Sequence, residues 1–452
     1  MHVEVITTAE LGDRSYLVTS GRDALVVDPQ RDIDRVERLL TGRGLRLSLV
    51  LETHIHNDYV TGGYELARRW HAQYAVNAAD PVAFERLAVA DGDELQAGSL
   101  RVRVLATPGH TDTHLAYLVT DLDAPGAPPA VFTGGSLLYG SVGRTDLVDT
   151  ARTDELTRAQ FRSARRLAEL LPDSAPVFPT HGFGSFCSSG SAAGGEESTI
   201  GQERRRNDAL TEPDEQAFVE RLVANLTAYP AYYAHMAPLN RQGPAVPELL
   251  APVAVDGLEL GKRLAAGEWV VDLRDRIAYA RDHLRGSVSI ELGEQFSTYL
   301  GWLAPWDAPI TLIAGSAEDV TEAQRQLMRI GIDGLAGAAT GDLGSLTTSA
   351  TERAGYRVAG FAELAEREPG EVVLDVRRAD ERAASRLPGS LGIPLHSLLA
   401  RLAELPDARL WVHCASGFRS AIAASLLDRA GFDVVYVDDD FDTAVELGLV
   451  TG

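Results

Sequence analysis

Cysteine is nearly absent: Cys187 and Cys414 are the only two in 452 residues. They lie too far apart in sequence to suggest a disulfide framework, so each thiol has to be judged by its own surroundings. Lysine is scarcer still. Lys262 stands alone among 42 basic residues, which reads as codon bias in a GC-rich genome and carries no functional weight. Basic charge is outnumbered by 65 acidic residues, and the net charge of −23 argues against nucleic-acid partners and anionic membrane surfaces. No stretch stays apolar for about 20 residues, and the opening "MHVEVITTAELGDRSYLV" lacks the charged and apolar regions of a signal peptide. A cytoplasmic protein with reduced thiols and no membrane partner is expected. What is present, 45% hydrophobic and 24% charged residues, is the composition of a globular chain, and its length exceeds a single core, predicting about three domains.

Residues 1–240 alternate β-branched runs such as "DALVVDP", "LSLVLETH" and "LRVRVLATPGH" with turns and helical stretches, an α/β pattern. Within it the Ser/Gly/Ala-rich tract from Cys187 to Ser198 reads as a mobile surface loop or lid. The proline-rich stretch at 241–252 reads as a linker. Beyond it the chain repeats. "VVDLRDRIAYARDHLRGSVSIEL" (270–292) echoes "VLDVRRADERAASRLPGSLGIPL" (373–395), pairing Asp272 with Asp375, Arg274 with Arg377 and Gly286 with Gly389, all at an offset of 103. Later, Gly331 and Asp333 match Gly431 and Asp433 at an offset of 100. Two copies of one α/β domain, 253–350 and 351–452, explain this better than a short-period solenoid.

In the second copy "ARLWVHC" is a buried strand by pattern and "SAIAASLLDRAG" a helix, which places Cys414 at the start of the joining loop. Loop amides and the positive end of the following helix favour an anionic sulfur there, and Arg419 adds a positive charge for an anionic donor. Cys414 and Arg419 are the catalytic candidates, with Ala415, Ser416, Gly417, Phe418 and Ser420 forming the cradle that holds the substrate. The segment resembles the C-x-x-G-x-R-S loop of the rhodanese (sulfurtransferase) family, and Asp375-x-Arg377 and "PGSLGIP" extend the resemblance over about a hundred residues; tyrosine-phosphatase loops are similar but longer. The first copy offers Ala314 where the second has Cys414, so 253–350 is read as a catalytically silent copy.

The N-terminal domain carries "LETHIHNDYVTGG". Alternate residues of an extended segment face one way, so His54, His56 and Asp58 converge, a donor set suited to a transition metal. His110 and His181 follow later strand-like runs. This spacing resembles the metallo-β-lactamase fold, an αββα sandwich, and "THIHNDYVTGG", "TPGHTD" and "FTGGSLLYGSVGRTDL" are most similar to its persulfide dioxygenase branch, which includes bacterial forms fused to rhodanese domains. In that branch iron is held by the first His of the signature, a later strand-end His and an Asp of F-T-G-D. The first two map to His54 and His110, whereas Gly135 stands in the place of the Asp, and Tyr59 replaces the last His of the signature. The expected metal set is therefore His54, His56, His110 and Asp58, around Fe(2+), with Zn(2+) or no metal as alternatives. Cys187 is read as a partly exposed thiol on the mobile loop rather than as a sulfur relay.

The resemblance implies oxidation of a thiol persulfide to thiol and sulfite at a mononuclear metal, coupled to sulfur transfer through a Cys414 persulfide, with a small thiol persulfide, thiosulfate or sulfite as partners. The alternatives are a sulfurtransferase whose first domain only binds, and a mononuclear zinc hydrolase of thioesters. Sheet edges and a silent copy are compatible with a homodimer.

Overall fold

The computed structural model describes residues 1–189 and 197–451. They divide into two compact units, Met1–Glu248 with Met328–Gly331, and Leu249–Leu327 with Ile332–Gly452. Among the described residues no helix is long and apolar enough to cross a membrane. Most of the Ser/Gly/Ala-rich tract read as a lid lies outside the described residues.

The first unit is built on two six-stranded sheets. One runs His2–Thr8, Asp13–Ser20, Asp23–Val27, Arg46–Leu51, Gln73–Asn77, Leu87–Val89, and the other Ser198–Thr199, Pro176–Pro179, Ala130–Gly134, Leu115–Asp121, Leu100–Ala106, Glu94–Ala97. The central strands, such as Asp13–Ser20 and Ala130–Gly134, are buried on both faces because each face has a partner. Tyr16 and Val18 point into a core shared with Val102, Tyr117 and Phe132 of the opposing sheet. Leu17, between them in sequence, points the other way, into a core shared with Val36 and Leu40 of the helix Asp34–Arg43 and Leu66 of the helix Gly63–Trp70. The long helix Thr153–Leu170 covers the far face of the second sheet through Phe161, Ala164 and Leu167. Helices thus flank a pair of packed sheets, the αββα order expected. The loops at the C-terminal ends of Asp23–Val27, Arg46–Leu51, Leu100–Ala106 and Pro176–Pro179 carry the site described below.

The second unit contains the repeat. Val288–Ser289, Trp269–Asp272, Ile310–Ala314 and Gly337–Thr340 form one parallel sheet, and Leu391–Gly392, Val372–Asp375, Leu410–His413, Val434–Val437 and Arg357–Ala359 the other. The registers agree: Trp269 pairs with Ile310 where Val372 pairs with Leu410, preserving the offsets of 103 and 100. The fifth strand of the second sheet shrinks in the first to the single bridge between Ala254 and Ala338. The repeated Asp-x-Arg is a structural staple. Arg274 binds Asp272 and donates to the Asp282 carbonyl at 3.1 Å, and Arg377 binds Asp375 and donates to the Ser385 carbonyl at 2.6 Å. Both use a buried carboxylate to fix the turn after the strand.

Candidate functional site

Two chemical sites emerge, one in each unit. In the first, His54, His56, His110, His114 and His181 are all at most 2% exposed. His54, His110 and His181 each bring a ring nitrogen within 4.8 Å of the others. The Nε2 atoms of His54 and His181 are 3.3 Å apart, and His110 Nε2, fully buried, has no hydrogen-bond partner. Two nitrogens bound to one tetrahedral metal at 2.0–2.1 Å lie roughly 3.3–3.4 Å apart, and an orphaned buried imidazole nitrogen is what a missing metal bond leaves behind. The three histidines therefore fit a metal ion.

Each of these rings is held from behind. His54 Nδ1 is 2.9 Å from Thr53 Oγ1, His110 Nδ1 donates to the Arg144 carbonyl at 2.7 Å, and His181 Nδ1 lies 2.8 Å from Asp13 Oδ1 and 3.1 Å from Asp58 Oδ2. The frame is Asp28, whose φ of 50° puts it in the left-handed region; its carboxylate accepts the Thr53 N–H and hydroxyl, both at 2.7 Å, and the Thr180 hydroxyl, tying the His54 and His181 loops together. Burial, reinforced by the His181 charge, pushes His110 down to about 3, and burial with its neighbouring histidines takes His54 well below its ordinary value, so both present lone pairs. Burial opposes the charge on His181 too, but the Asp58 and Asp13 carboxylates outweigh it and raise its pKa.

His56 does not join this set. The strand ends at Leu51 and the following residues turn, so the alternation of an extended segment does not apply beyond it. His56 Nε2 faces inward instead, 3.1 Å from Glu52 Oε2 and 2.9 Å from the Tyr59 hydroxyl, and although burial opposes its charge, Asp28 and Glu52 raise it to about 9. Asp58 stands behind His181, and burial of the pair is overcome by that histidine, keeping its carboxylate well below the usual range. His56 Nδ1 and Asp58 Oδ1 are nevertheless buried without a hydrogen-bond partner, as His110 Nε2 is, and with His181 these two predicted residues form a second grouping able to hold a metal, sharing His181 with the trio. Gly135 is where a carboxylate was expected. A Cβ there would stand 2.4 Å from His110 Cδ2, and one on Gly143 2.8 Å from His110 Nδ1, so the His110 ring packs against two glycines that are themselves joined by the Gly143 N–H donating to the Gly135 carbonyl at 2.9 Å. His114, which sequence reading passed over, stacks on His54 at 4.8 Å and accepts the Gly135 N–H at 2.9 Å. A cavity of about 390 Å³, lined in part by Asn57, Asp80, Thr111, Tyr233 and Arg241, borders the loops that carry His54 and His110.

The Cys187 thiol is buried at 1% exposure, 3.9 Å from the Tyr233 hydroxyl, which corrects the expectation of a partly exposed thiol. Burial first, then Asp58 and Asp13, pushes it well above the ordinary thiol range, and that argues against a ready nucleophile.

In the second unit Cys414 follows the strand Leu410–His413 and precedes the helix Phe418–Arg429, as the pattern predicts. It is 1% exposed, with Ser420 Oγ 3.4 Å from its sulfur. The loop runs through Ala415, the exposed Ser416 and the buried Gly417, whose φ of 87° and contact with Asp438 (a Cβ would be 2.1 Å from Oδ1) require glycine. Phe418 and Ser420 open the helix, and Ser420 Oγ lies 2.9 Å from the Gly417 carbonyl, closing the turn. Arg419 is not a free cation: its two terminal nitrogens donate to Glu381 at 2.6 and 2.8 Å. Burial works against the Glu381 charge, but Arg419 outweighs it and holds that carboxyl below the usual range. In the first copy the equivalent helix is capped internally, with Ser316 N–H donating to Asp319 Oδ2 at 3.0 Å and Asp319 N–H to Ser316 Oγ at 3.1 Å. Asp319 occupies the position of Arg419, so a carboxylate of the chain itself already sits at that helix end.

Known proteins align with both sites. The profile of the metallo-beta-lactamase superfamily matches residues 11–181, and that of the rhodanese-like domain matches residues 360–444. Hydroxyacylglutathione hydrolases are similar over the N-terminal part: that of Parasynechococcus marenigrum (strain WH8102) is 34% identical over 169 residues, 37% of this chain and 64% of the relative, and that of Acidiphilium cryptum (strain JF-5) 40% identical over 163 residues, 35% and 60%. The chain thus spans about six-tenths of the length of these curated relatives. Among solved structures, a metallo-beta-lactamase from Staphylococcus aureus subsp. aureus COL is 27% identical with a TM-score of 0.67, covering 76% of this chain and 99% of that one. ETHE1 from Myxococcus xanthus is 27% identical with a TM-score of 0.46, covering 53% and 98%.

Proposed function

The chain carries a metallo-beta-lactamase superfamily domain and a rhodanese-like domain, and from that pairing we propose an enzyme of sulfane-sulfur metabolism: a thiol persulfide is oxidised in the first domain, and sulfur is transferred through Cys414 in the second. The overall oxidation consumes a persulfide, dioxygen and water and yields the thiol and sulfite. A metal held by His54, His110 and His181, iron in this reading, would supply the affinity for dioxygen and for the anionic sulfur. The protein's own part is to keep His54 and His110 neutral by burial, to orient His181 through Asp13 and Asp58, and to admit the thiol through the cavity bordered by Asn57 and Thr111.

In the second domain the Cys414 thiolate attacks the terminal sulfur of the donor and the thiolate of the donor leaves, so that Cys414 carries a persulfide. Sulfite then attacks that outer sulfur, thiosulfate departs and the Cys414 thiolate is restored. No external oxidant or reductant is needed. The single observation that carries this reading is the placement of Cys414 at the mouth of the helix Phe418–Arg429, on a loop turned by Gly417 at φ 87°, where the helix end favours an anion. A reducing, cytoplasmic setting suits both thiol chemistries. The test is mass spectrometry of the full chain after exposure to glutathione persulfide. Addition of one sulfur atom that Cys414→Ser abolishes supports it, and labelling elsewhere overturns it.

A second reading draws on the similarity to hydroxyacylglutathione hydrolases: a metal at the same three histidines activating water toward a thioester. Zinc rather than iron in the purified protein, with hydrolysis of S-lactoylglutathione, would favour it.

A further inference from the structure

We propose that the copy without a thiol is a working part of the Cys414 site, with Arg276 as a positioning residue that acts on the cradle through Asp438; this rests on the sulfur-transfer reading of Cys414. Asp438 follows the strand Val434–Val437 and its Oδ1 abuts the Gly417 backbone so closely that a Cβ there would be 2.1 Å away. The Tyr436 hydroxyl donates to the same oxygen at 2.6 Å. A carboxylate so close to a loop built to hold anionic sulfur disfavours both the Cys414 thiolate and its persulfide unless its charge is cancelled.

The cation that cancels it comes from the other copy. Arg276 Nε donates to Asp438 Oδ1 at 2.9 Å while its Nη1 donates to Glu291 Oε2 at 3.2 Å, and among the described residues it is the ion-pair partner of Asp438. Arg419, in the first turn of the helix that follows, is committed to Glu381 through both terminal nitrogens. At the offset of 103 the second copy has Ala379 where the first has Arg276, so this arginine is not a shared residue of the repeat. The helix that begins at the cradle is also seated by the first copy along its length. The Tyr299 ring meets Phe418 edge-on at 5.5 Å, Ser289 N–H donates to Ser425 Oγ at 3.0 Å, and His283 Nε2 lies 3.1 Å from Asp428 Oδ2. A domain that lost its nucleophile but kept these contacts holds the charge balance and position of its neighbour's loop.

The experiment uses the full chain and measures the rate at which glutathione persulfide loads sulfur onto Cys414, with the rate of Cys414 alkylation by iodoacetamide at fixed pH as a second readout. Arg276→Ala should slow both by about tenfold, the scale of one uncompensated charge across a partly buried site. Arg276→Lys should keep most of the rate. The double variant Arg276→Ala with Asp438→Asn should recover toward the parent rate, because the charge to be cancelled is gone, and Asp438→Asn alone should load sulfur at least as fast as the parent. A packing role for Arg276 would leave the double variant as slow as the single one or slower. That result, or an Arg276→Ala protein as fast as the parent, overturns the proposal. If Arg276→Ala does not fold, a slow Asp438→Asn protein overturns it equally. Failure of the parent chain to take up sulfur at Cys414 is a separate outcome, which removes the sulfur-transfer reading and this inference with it.

Discussion

Restoring the carboxylate that Gly135 replaces should weaken metal binding rather than strengthen it. From sequence alone Gly135→Asp looks like a repair, since it would rebuild a two-His-one-carboxylate set. In the structure the new Cβ would stand 2.4 Å from His110 Cδ2 and 2.6 Å from Cγ, about 1 Å inside ordinary van der Waals contact. The ring has little freedom to retreat, because its Nδ1 is tied to the Arg144 carbonyl at 2.7 Å and Gly143 also abuts it. Ligand distances tolerate only about 0.2 Å, so a shift of that size removes His110 from the trio. Overpacking a site this tight costs about 1–3 kcal/mol, a fall of roughly 2–4 °C in the midpoint of the first unit for each kcal/mol. The assay is elemental analysis of parent and variant loaded with iron or zinc and dialysed against a weak chelator, together with thermal unfolding. We expect the variant to retain less metal and to melt earlier. Tighter iron binding at an unchanged melting temperature would refute the reasoning, since it would mean that the loop had kept room for the carboxylate.

His181→Ala should abolish metal retention under the same dialysis, whereas His56→Ala should retain most of it, because His56 is turned toward Glu52. Asp13→Asn, which disturbs only the group behind His181, should lower metal affinity by roughly 10–100-fold in a competition titration. Ala314→Cys should gain no sulfur-transfer activity in a Cys414→Ser background, because Asp319 already caps that helix end; measurable loading at position 314 would refute this. Glu381→Gln should destabilise the second unit by roughly 1–2 kcal/mol at neutral pH. The Glu381 carboxyl is held below its ordinary value, so its stabilisation is complete above about pH 4.5 and is lost as the pH falls through the lowered value; the unfolding curves of parent and variant should therefore converge in acid.

What was legible in the sequence was what is local. Cys414 through Ser420 lie between one strand and one helix, so the pattern of apolar residues located the cradle without knowledge of the rest of the chain. The repeat was legible for the same reason, and the structure adds that its most conspicuous shared residues, Asp272 with Arg274 and Asp375 with Arg377, serve the turn rather than the chemistry. The metal donors were only half legible. His54 and His110 sit at strand ends and were found. The alternation that groups His56 and Asp58 with His54 stops at Leu51, yet both stand in a donor grouping with His181, and no periodicity joins His181 to residues 127 positions earlier in the chain. His114, Asp28 and Asp13 carried no signal beyond lying in or beside β-branched runs, although together they fix the orientation of the trio.

The same distinction bears on what Gly135 means. Read as a missing ligand it suggests decay of the site. Beside the other residues it belongs to a different arrangement: His110 lies in the space a side chain at 135 would need, the Gly135 N–H is satisfied by His114 Nε2, and His54 and His181 already stand at the separation of two ligands on one metal. A decayed site has no reason to keep three imidazoles dry and oriented, each with a partner on Nδ1. Burial of that kind costs stability whenever the polar group is left unpaired, as His110 Nε2 is. A ligand set of three histidines brings no carboxylate charge to the metal, and the ionised carboxylate nearest to it is Asp58, behind His181. Anionic sulfur would therefore meet a more positive centre here than in a site with a carboxylate ligand.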